Sequence, residues 1–225
     1  VSSLLSENAI SAAGSRQHRP KTMRHVLHVG CGGKAIRRLH QTFRDANQWH
    51  EIRLDVDEKV EPDIICSTVD MRGAVPTASV DAVWSSHNVE HLYDHEVPLA
   101  FAEFLRVLRP DGYFLMRCPD LEAVAEAMLK DGLENVAYVS PAGPITPLDM
   151  LFGHRASVAR GNEYMAHKTG FTDLRLGRLL LEAGFGAAYT KRMPGFDLWA
   201  VAFAPQADVE AGIATLAGNG LNFQE

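Results

Sequence analysis

The decapeptide 25–34, HVLHVGCGGK, constrains the fold more than any other stretch of the chain. Val26, Leu27 and Val29 form a short apolar run that leads directly into Gly30-Cys31-Gly32-Gly33. A helical pattern then begins at Ala35-Ile36, with Leu39 and Phe43 on the same face. A buried strand, a glycine turn and a helix start together make the first βα unit of a nucleotide-binding α/β sheet. Gly30 lets the chain turn sharply, and Gly32, lacking a Cβ, lets a ligand approach the backbone. The helix N-terminus then offers free N–H groups to an anionic or oxygen-rich ligand. Gly30, Gly32 and Ala35 also fit the dinucleotide fingerprint G-x-G-x-x-G/A, so the rest of the chain decides the cofactor.

Downstream, strand and helix patterns alternate. Trp49–Asp55 (WHEIRLD) reads as a second strand ending in an acid, 63–66 as a short third strand after Pro62, and 80–85 as a fourth. Residues 97–108 carry Leu99, Phe101, Phe104, Leu105 and Leu108 as a helical stripe. Pro110-Asp111-Gly112 ends that helix and turns into a strand over 113–117, followed by a helix over 121–129. Thr172 caps a helix through Glu182, closed by Gly184, in which Leu174, Leu176, Leu179 and Leu180 are expected in the core, as are Trp84 and Trp199. Two final strands, 186–193 and 196–204, flank Pro194-Gly195, a spacing that allows only an antiparallel hairpin. This alternation predicts a mostly parallel sheet covered on both faces.

The segment 138–170 differs in kind. Pro141, Pro144 and Pro147 lead to a short helical run near 148–158 and then to a polar stretch. It reads as an insertion over the ligand side of the sheet, within a domain spanning 23–204. Residues 1–22 read as an N-terminal arm and 205–225 as a C-terminal tail. A hydrophobic content of 46% supports a sizeable core, and a net charge of −6 argues against a general nucleic-acid binder. Cys31, Cys66 and Cys118 lack C-x-x-C spacing and read as reduced thiols. With no apolar run of membrane-spanning length and no signal-like segment, the expectation is a cytoplasmic protein acting on a small molecule, without nucleic-acid or membrane partners. A homodimer stays open.

The order of glycine turn, acidic strand end, VDAVWSSHNVEHL (80–92), EFLRVLRPDGYFLMRCPDLE (103–122) and terminal hairpin resembles the class I S-adenosylmethionine-dependent methyltransferases, in their type 11-like branch. The resemblance spans about 24–204 and is most specific over 79–120. It implies a Rossmann-like, seven-stranded, mostly parallel sheet with an antiparallel last strand and helices on both faces. It also implies S-adenosylmethionine as cofactor, with Gly30, Cys31 and Gly32 under its methionine part. Asp55, with Val56, would meet the ribose, and Asp70 with the backbone of Met71 the adenine. Ser86 and His87 would close the site at the end of the fourth strand. Asp57, two residues beyond Asp55, competes for the ribose role, and Asp70 also reads as the N-cap of a short turn. His28 and Lys34 stand where the family often has an acid and a third glycine.

Methyl transfer from a sulfonium is an in-line displacement, so the protein mainly aligns the partners and excludes water. His87 is the candidate catalytic base where the acceptor must lose a proton; a cofactor wall or helix cap is its other reading. His87, Glu90 and His91 also spell H-x-x-E-H, a zinc-protease pattern. Here it starts directly after a buried strand instead of lying on a long helix, so no metal is expected. In the insertion, Arg155, Tyr164 and His167, together with His154, Arg160 and Lys168, form a basic, aromatic-spotted surface suited to an anionic or sugar-like acceptor. The expected activity is methyl transfer to an O, N or C nucleophile of a small molecule. An NAD(P)-dependent oxidoreductase is the rival, disfavoured by the hairpin and the LRPDG turn; an S-adenosylmethionine-binding protein without transferase activity is another.

Overall fold

A computed structural model describes residues 23–35 and 38–224. The arm expected over 1–22 lies outside the described residues. The main sheet comprises β1 (Arg24–Val29), β2 (Trp49–Asp55), β3 (Ile64–Ile65), β4 (Val80–Ser86), β5 (Leu108–Pro119), β8 (Ala187–Met193) and β9 (Asp197–Phe203). Its seven strands follow the order β3-β2-β1-β4-β5-β9-β8. β1 to β5 pair in parallel, and β9 runs antiparallel to both β5 and β8. The expected fold class is therefore observed, a Rossmann-like sheet whose last strand is reversed.

Strand alternation divides the core. Leu27, Val29, Leu54 and Val83 face one layer with Phe101 and Phe104 of α1 (Val97–Val107) and Leu176 and Leu180 of α5 (Asp173–Glu182). Val26, Trp84, Leu115 and Phe203 face the other. Thr172 caps α5 by accepting from the Arg175 N–H. Leu174 is corrected: it is 81% exposed. At about 100° per residue it lies about 160° round α5 from Leu176 and about 120° from Leu180.

The helix expected after the glycine turn is also corrected. Over the described residues from Arg38 to β2 the crossover holds no α-helix and includes a 3-10 turn over Gln41–Phe43. Leu39 and Phe43 are still buried. The Trp84 indole Nε1 donates to the Arg38 carbonyl at 2.9 Å, and Arg44 Nε donates to the Leu39 carbonyl at 2.8 Å. Those carbonyls would feed the helical ladder, so side-chain donors have replaced it.

The segment 205–225 is more than a tail. Asp208 caps α6 (Val209–Gly218), and Ile213, Leu216, Leu221 and Phe223 bury into the second core layer. Between β5 and α5 lie α2 (Leu121–Asp131), the hairpin β6 (Tyr138–Ser140) and β7 (Gly143–Ile145), α3 (Pro147–Phe152) and α4 (Arg155–Ala159). The expected helical run is thus two short helices separated at Gly153. No helix among the described residues is long and apolar enough to cross a membrane.

His40 lies among Trp84, Trp199 and Phe43, at ring-centroid distances of 5.5, 5.4 and 6.4 Å. Its Nδ1 accepts the Thr42 N–H, which needs the neutral ring. Burial, aided by Arg44 and Arg117, lowers its pKa to about 4. A folded-state pKa below the unfolded one stabilises above the unfolded pKa and loses that contribution as pH falls. Wild type should lose up to roughly 3 kcal/mol more than His40→Asn between pH 6.5 and 4. Urea denaturation of both proteins across that window is the check; parallel pH profiles would refute the assignment.

Candidate functional site

The carboxyl ends of β1, β2 and β4 meet at the glycine turn. Gly30 and Gly32 have φ of +60° and +58°, the left-handed region that favours glycine. A Cβ on Gly30 would stand 2.4 Å from Asn88 Oδ1, so the Asn88 side chain lies directly against the turn. Both peptide groups of Gly32 are held from β2. Its N–H donates to Asp55 Oδ2 at 2.9 Å, and its carbonyl accepts from Arg53 Nη2 at 2.5 Å. Buried Arg53 also reaches the carbonyls of Val60 and Glu61.

The competing aspartates have separate tasks. Asp57 accepts from the Lys59 N–H and caps the 3-10 turn Glu58–Val60. Asp55 accepts from Gly32 with one oxygen and from the Asp57 N–H with the other, at 3.0 Å. A carboxylate offers about four lone-pair directions, so Asp55 keeps acceptor capacity for hydroxyl donors. Beneath the turn, buried His28 bonds Glu51 Oε1 through Nδ1 at 2.6 Å. A cavity of about 320 Å³ lies beside them, lined by Cys31, Gly33, Lys34 and Arg38 together with Glu51 and Arg53. Burial raises the Cys31 thiol to about 11, so it stays protonated.

The other predicted residues fall at several depths. Val56 is exposed. Asp70 is exposed and caps the turn that follows by accepting from the Arg72 N–H. Met71 is buried, its N–H donating to Glu103 Oε2 and its carbonyl accepting from Ala74 and Val75. At that loop the Asp70 carboxylate faces outward beside the likewise exposed Arg72.

At the end of β4 the chain enters a charged network. His87 has a φ of +51°, unusual for a residue with a side chain. Its Nδ1 stands 3.3 Å from Glu90 Oε1 and its Nε2 3.4 Å from Asp197 Oδ1. Burial opposes its charge, but Asp197 and Glu90 outweigh burial and raise the imidazole to about 9. Arg117 bridges Ser86 Oγ at 2.8 Å and Asp197 Oδ2 at 3.3 Å. Asp197 reaches this edge because β9 is reversed, so its first residue pairs with Pro119 at the far end of β5. Glu90 is fully enclosed; burial works against its charge, yet His87, His91 and His167 hold its carboxyl below the ordinary value.

The insertion is fastened here. The Lys168 and Thr169 N–H groups donate to the Glu90 carbonyl, at 2.8 and 3.3 Å. His91 and His167 lie with ring centroids 4.9 Å apart. Tyr164 is exposed, whereas Arg155 Nε is tied to Asp149 Oδ1 at 3.0 Å, bracing the capping box of α3. The structure thus brings His167 to the β4 end and engages Arg155 within the insertion. Sequence reading did not single out Arg53, Asn88, Arg117 or Asp197 as site residues. Arg53 could have been found from strand period, because it shares a face of β2 with Asp55.

A family model described as a methyltransferase domain matches residues 27–116. Among solved structures, the chain is similar to the PH0226 protein of Pyrococcus horikoshii OT3, with 13% identity, a TM-score of 0.52, and 82% of this chain and 83% of that one covered. It is also similar to an S-adenosylmethionine-dependent methyltransferase of Archaeoglobus fulgidus, with 13% identity, a TM-score of 0.51, and coverage of 81% and 87%. The CMeT domain of the citrinin polyketide synthase gives 12% identity and a TM-score of 0.53, covering 82% of this chain and 47% of that one. At such identities these likenesses concern the fold. No curated protein matches the sequence.

Two glycines at opposite ends of the turn, Gly30 and Gly33, should differ sharply on substitution. Gly30→Ala combines a left-handed φ with a clash against Asn88 and should cost about 2 kcal/mol or more. Nothing lies within 4 Å of a Cβ on Gly33, so Gly33→Ala should stay within about 0.5 kcal/mol of wild type. Denaturant midpoints measure both.

Proposed function

We propose that this chain, whose residues 27–116 belong to the methyltransferase-domain family, uses S-adenosylmethionine to methylate a small-molecule acceptor. The observation that carries the reading is the Gly32 N–H bond to Asp55 at the shared edge of β1 and β2. It sets a carboxylate with spare acceptor capacity beside a glycine that has no Cβ, which suits a ligand with vicinal hydroxyls and a close approach to the backbone. A second feature agrees with this. Asn88 Nδ2 is buried against the turn without a hydrogen-bond partner, a donor suited to a ligand oxygen.

When bound, S-adenosylmethionine supplies an electrophilic methyl group on its sulfonium. The protein's part is alignment. Asp55 holds the ribose hydroxyls, while Gly30, Cys31 and Gly32 support the methionine end. The Arg38 guanidinium, 2.9 Å from where a Gly32 Cβ would stand, pairs with the methionine carboxylate. Asp70 faces the adenine amino edge. On the acceptor side, His87 presents a ring whose two nitrogens both face carboxylates; Glu90 and Asp197 favour its protonated form, so it serves as a charged wall of the site and not as the base its position suggested. Arg117 fixes Ser86 and Asp197 around it. Tyr164 and His167 of the insertion line the acceptor side and exclude water.

Calorimetry with S-adenosylhomocysteine and NADH tests the cofactor class: binding of the first and no heat from the second is the expected result. Asp55→Asn keeps an oxygen for the Gly32 N–H but loses the charge, and should weaken S-adenosylhomocysteine at least about tenfold. Unchanged affinity would remove the ribose role. Mass detection of methylated products from a metabolite pool then separates an enzyme from a binding protein.

A further inference from the structure

We propose that Glu90, His91 and His167 form a binding site for a divalent first-row transition-metal ion of the zinc type, seated where the insertion meets the turn after β4. Glu90 is 1% exposed, and neither carboxylate oxygen accepts a well-formed hydrogen bond. The His87 ring, 3.3 Å from Oε1, is only a loose partner, and a buried carboxylate so held is stabilised further by a metal cation. One ring nitrogen from each histidine and one Glu90 oxygen all lie within 4.8 Å of one another. Donors at tetrahedral angles around zinc stand about 3.3–3.5 Å apart, so small side-chain rotations close the set.

The histidines are held in the tautomer a ligand needs. His91 Nδ1 faces the Ala166 carbonyl at 3.0 Å and His167 Nδ1 faces the Met150 carbonyl at 2.8 Å. A carbonyl only accepts, so both Nδ1 atoms carry the proton and both Nε2 atoms keep their lone pairs. A ring N–H held by a backbone carbonyl is the usual outer support of a metal-ligating histidine. His87, 3.3 Å from Glu90 Oε1, supports the carboxylate from the other side. The donors come from two segments whose relative position is set by main-chain bonds from Lys168 and Thr169 to Glu90, so the site is assembled before an ion enters. Both histidines are partly exposed, which gives the ion access.

Two imidazoles and one carboxylate suit zinc, and three protein donors leave a further position for water or an oxygen or nitrogen donor of a small molecule. This set is not the one that the string H-x-x-E-H would supply. Val89–His91 is a 3-10 turn and His87 has a left-handed backbone, so the two histidines of the string do not share a helical face. The third ligand comes instead from the insertion.

The test reads metal, independently of methyl transfer. The full chain is stripped with chelator, and zinc binding is followed by calorimetry and by metal analysis after desalting. One equivalent per chain is expected, together with visible cobalt(II) absorption lacking a thiolate charge-transfer band. His167→Ala should weaken zinc by well over tenfold, the lower bound for losing even an outer-shell support. Cys66→Ser and His95→Ala should leave it unchanged. Absence of zinc binding to folded wild type at micromolar concentrations overturns the proposal, as does equal binding by folded His167→Ala. Circular dichroism verifies folding, and His167→Gln substitutes should the alanine variant unfold.

Discussion

The candidate site depends on the two-sided hold that β2 exerts on the two peptide groups of one residue, Gly32. Arg53 and Asp55 share a face of that strand, and their opposite charges match the carbonyl and the N–H of Gly32. Each such charge-assisted bond contributes about 1.5–3 kcal/mol, enough to fix a turn whose glycines have little conformational preference of their own. The hold is all the more important because no regular helix follows from Arg38. A helix dipole cannot then be counted among the forces at this edge; side chains supply the charge.

A second constraint is topological. Parallel strands deliver their carboxyl ends to one edge, where Ser86, His87 and Arg117 gather. An acid on a final parallel strand would have to stand at its end. The reversal of β9 instead brings its first residue, Asp197, to that edge, where it touches both His87 and Arg117. The buried Glu90 lies on the other side of the same imidazole. Two carboxylates around one ring keep it charged against the burial that would neutralise it, and this explains how a polar network persists beside a dry core.

Where local pattern decides the structure, the sequence was readable. The β2 boundaries, the Thr172 cap and the antiparallel hairpin follow from period and turn chemistry acting over a few residues. Where distant partners decide, it was not. Nothing near Arg38 and Leu39 announces that Trp84 and Arg44 will take their carbonyls, so a helical stripe was read where the chain is irregular. Leu174 was misassigned by composition, since a leucine-rich segment hides which leucines share a face. The helix after Asp208 was missed although its cap and the Ile213–Leu216 spacing were present, because small residues dilute the pattern. In the site, the glycine turn after β1 and the place of Asp55 at the end of β2 were legible from strand pattern. The meeting of His91 with His167 was not, for it depends on how the insertion folds back.

The insertion is attached by backbone. His167 donates to the Phe152 carbonyl, Lys168 and Thr169 to that of Glu90, and Leu121 to that of Phe171. Main-chain bonds of this kind do not depend on which side chains the loop displays. The outward residues of the strap, Tyr164 among them, are therefore free to drift under selection while the strap keeps its course. Such an arrangement lets one scaffold change the surface it presents by exchanging decoration alone, leaving the half built around the glycine turn untouched.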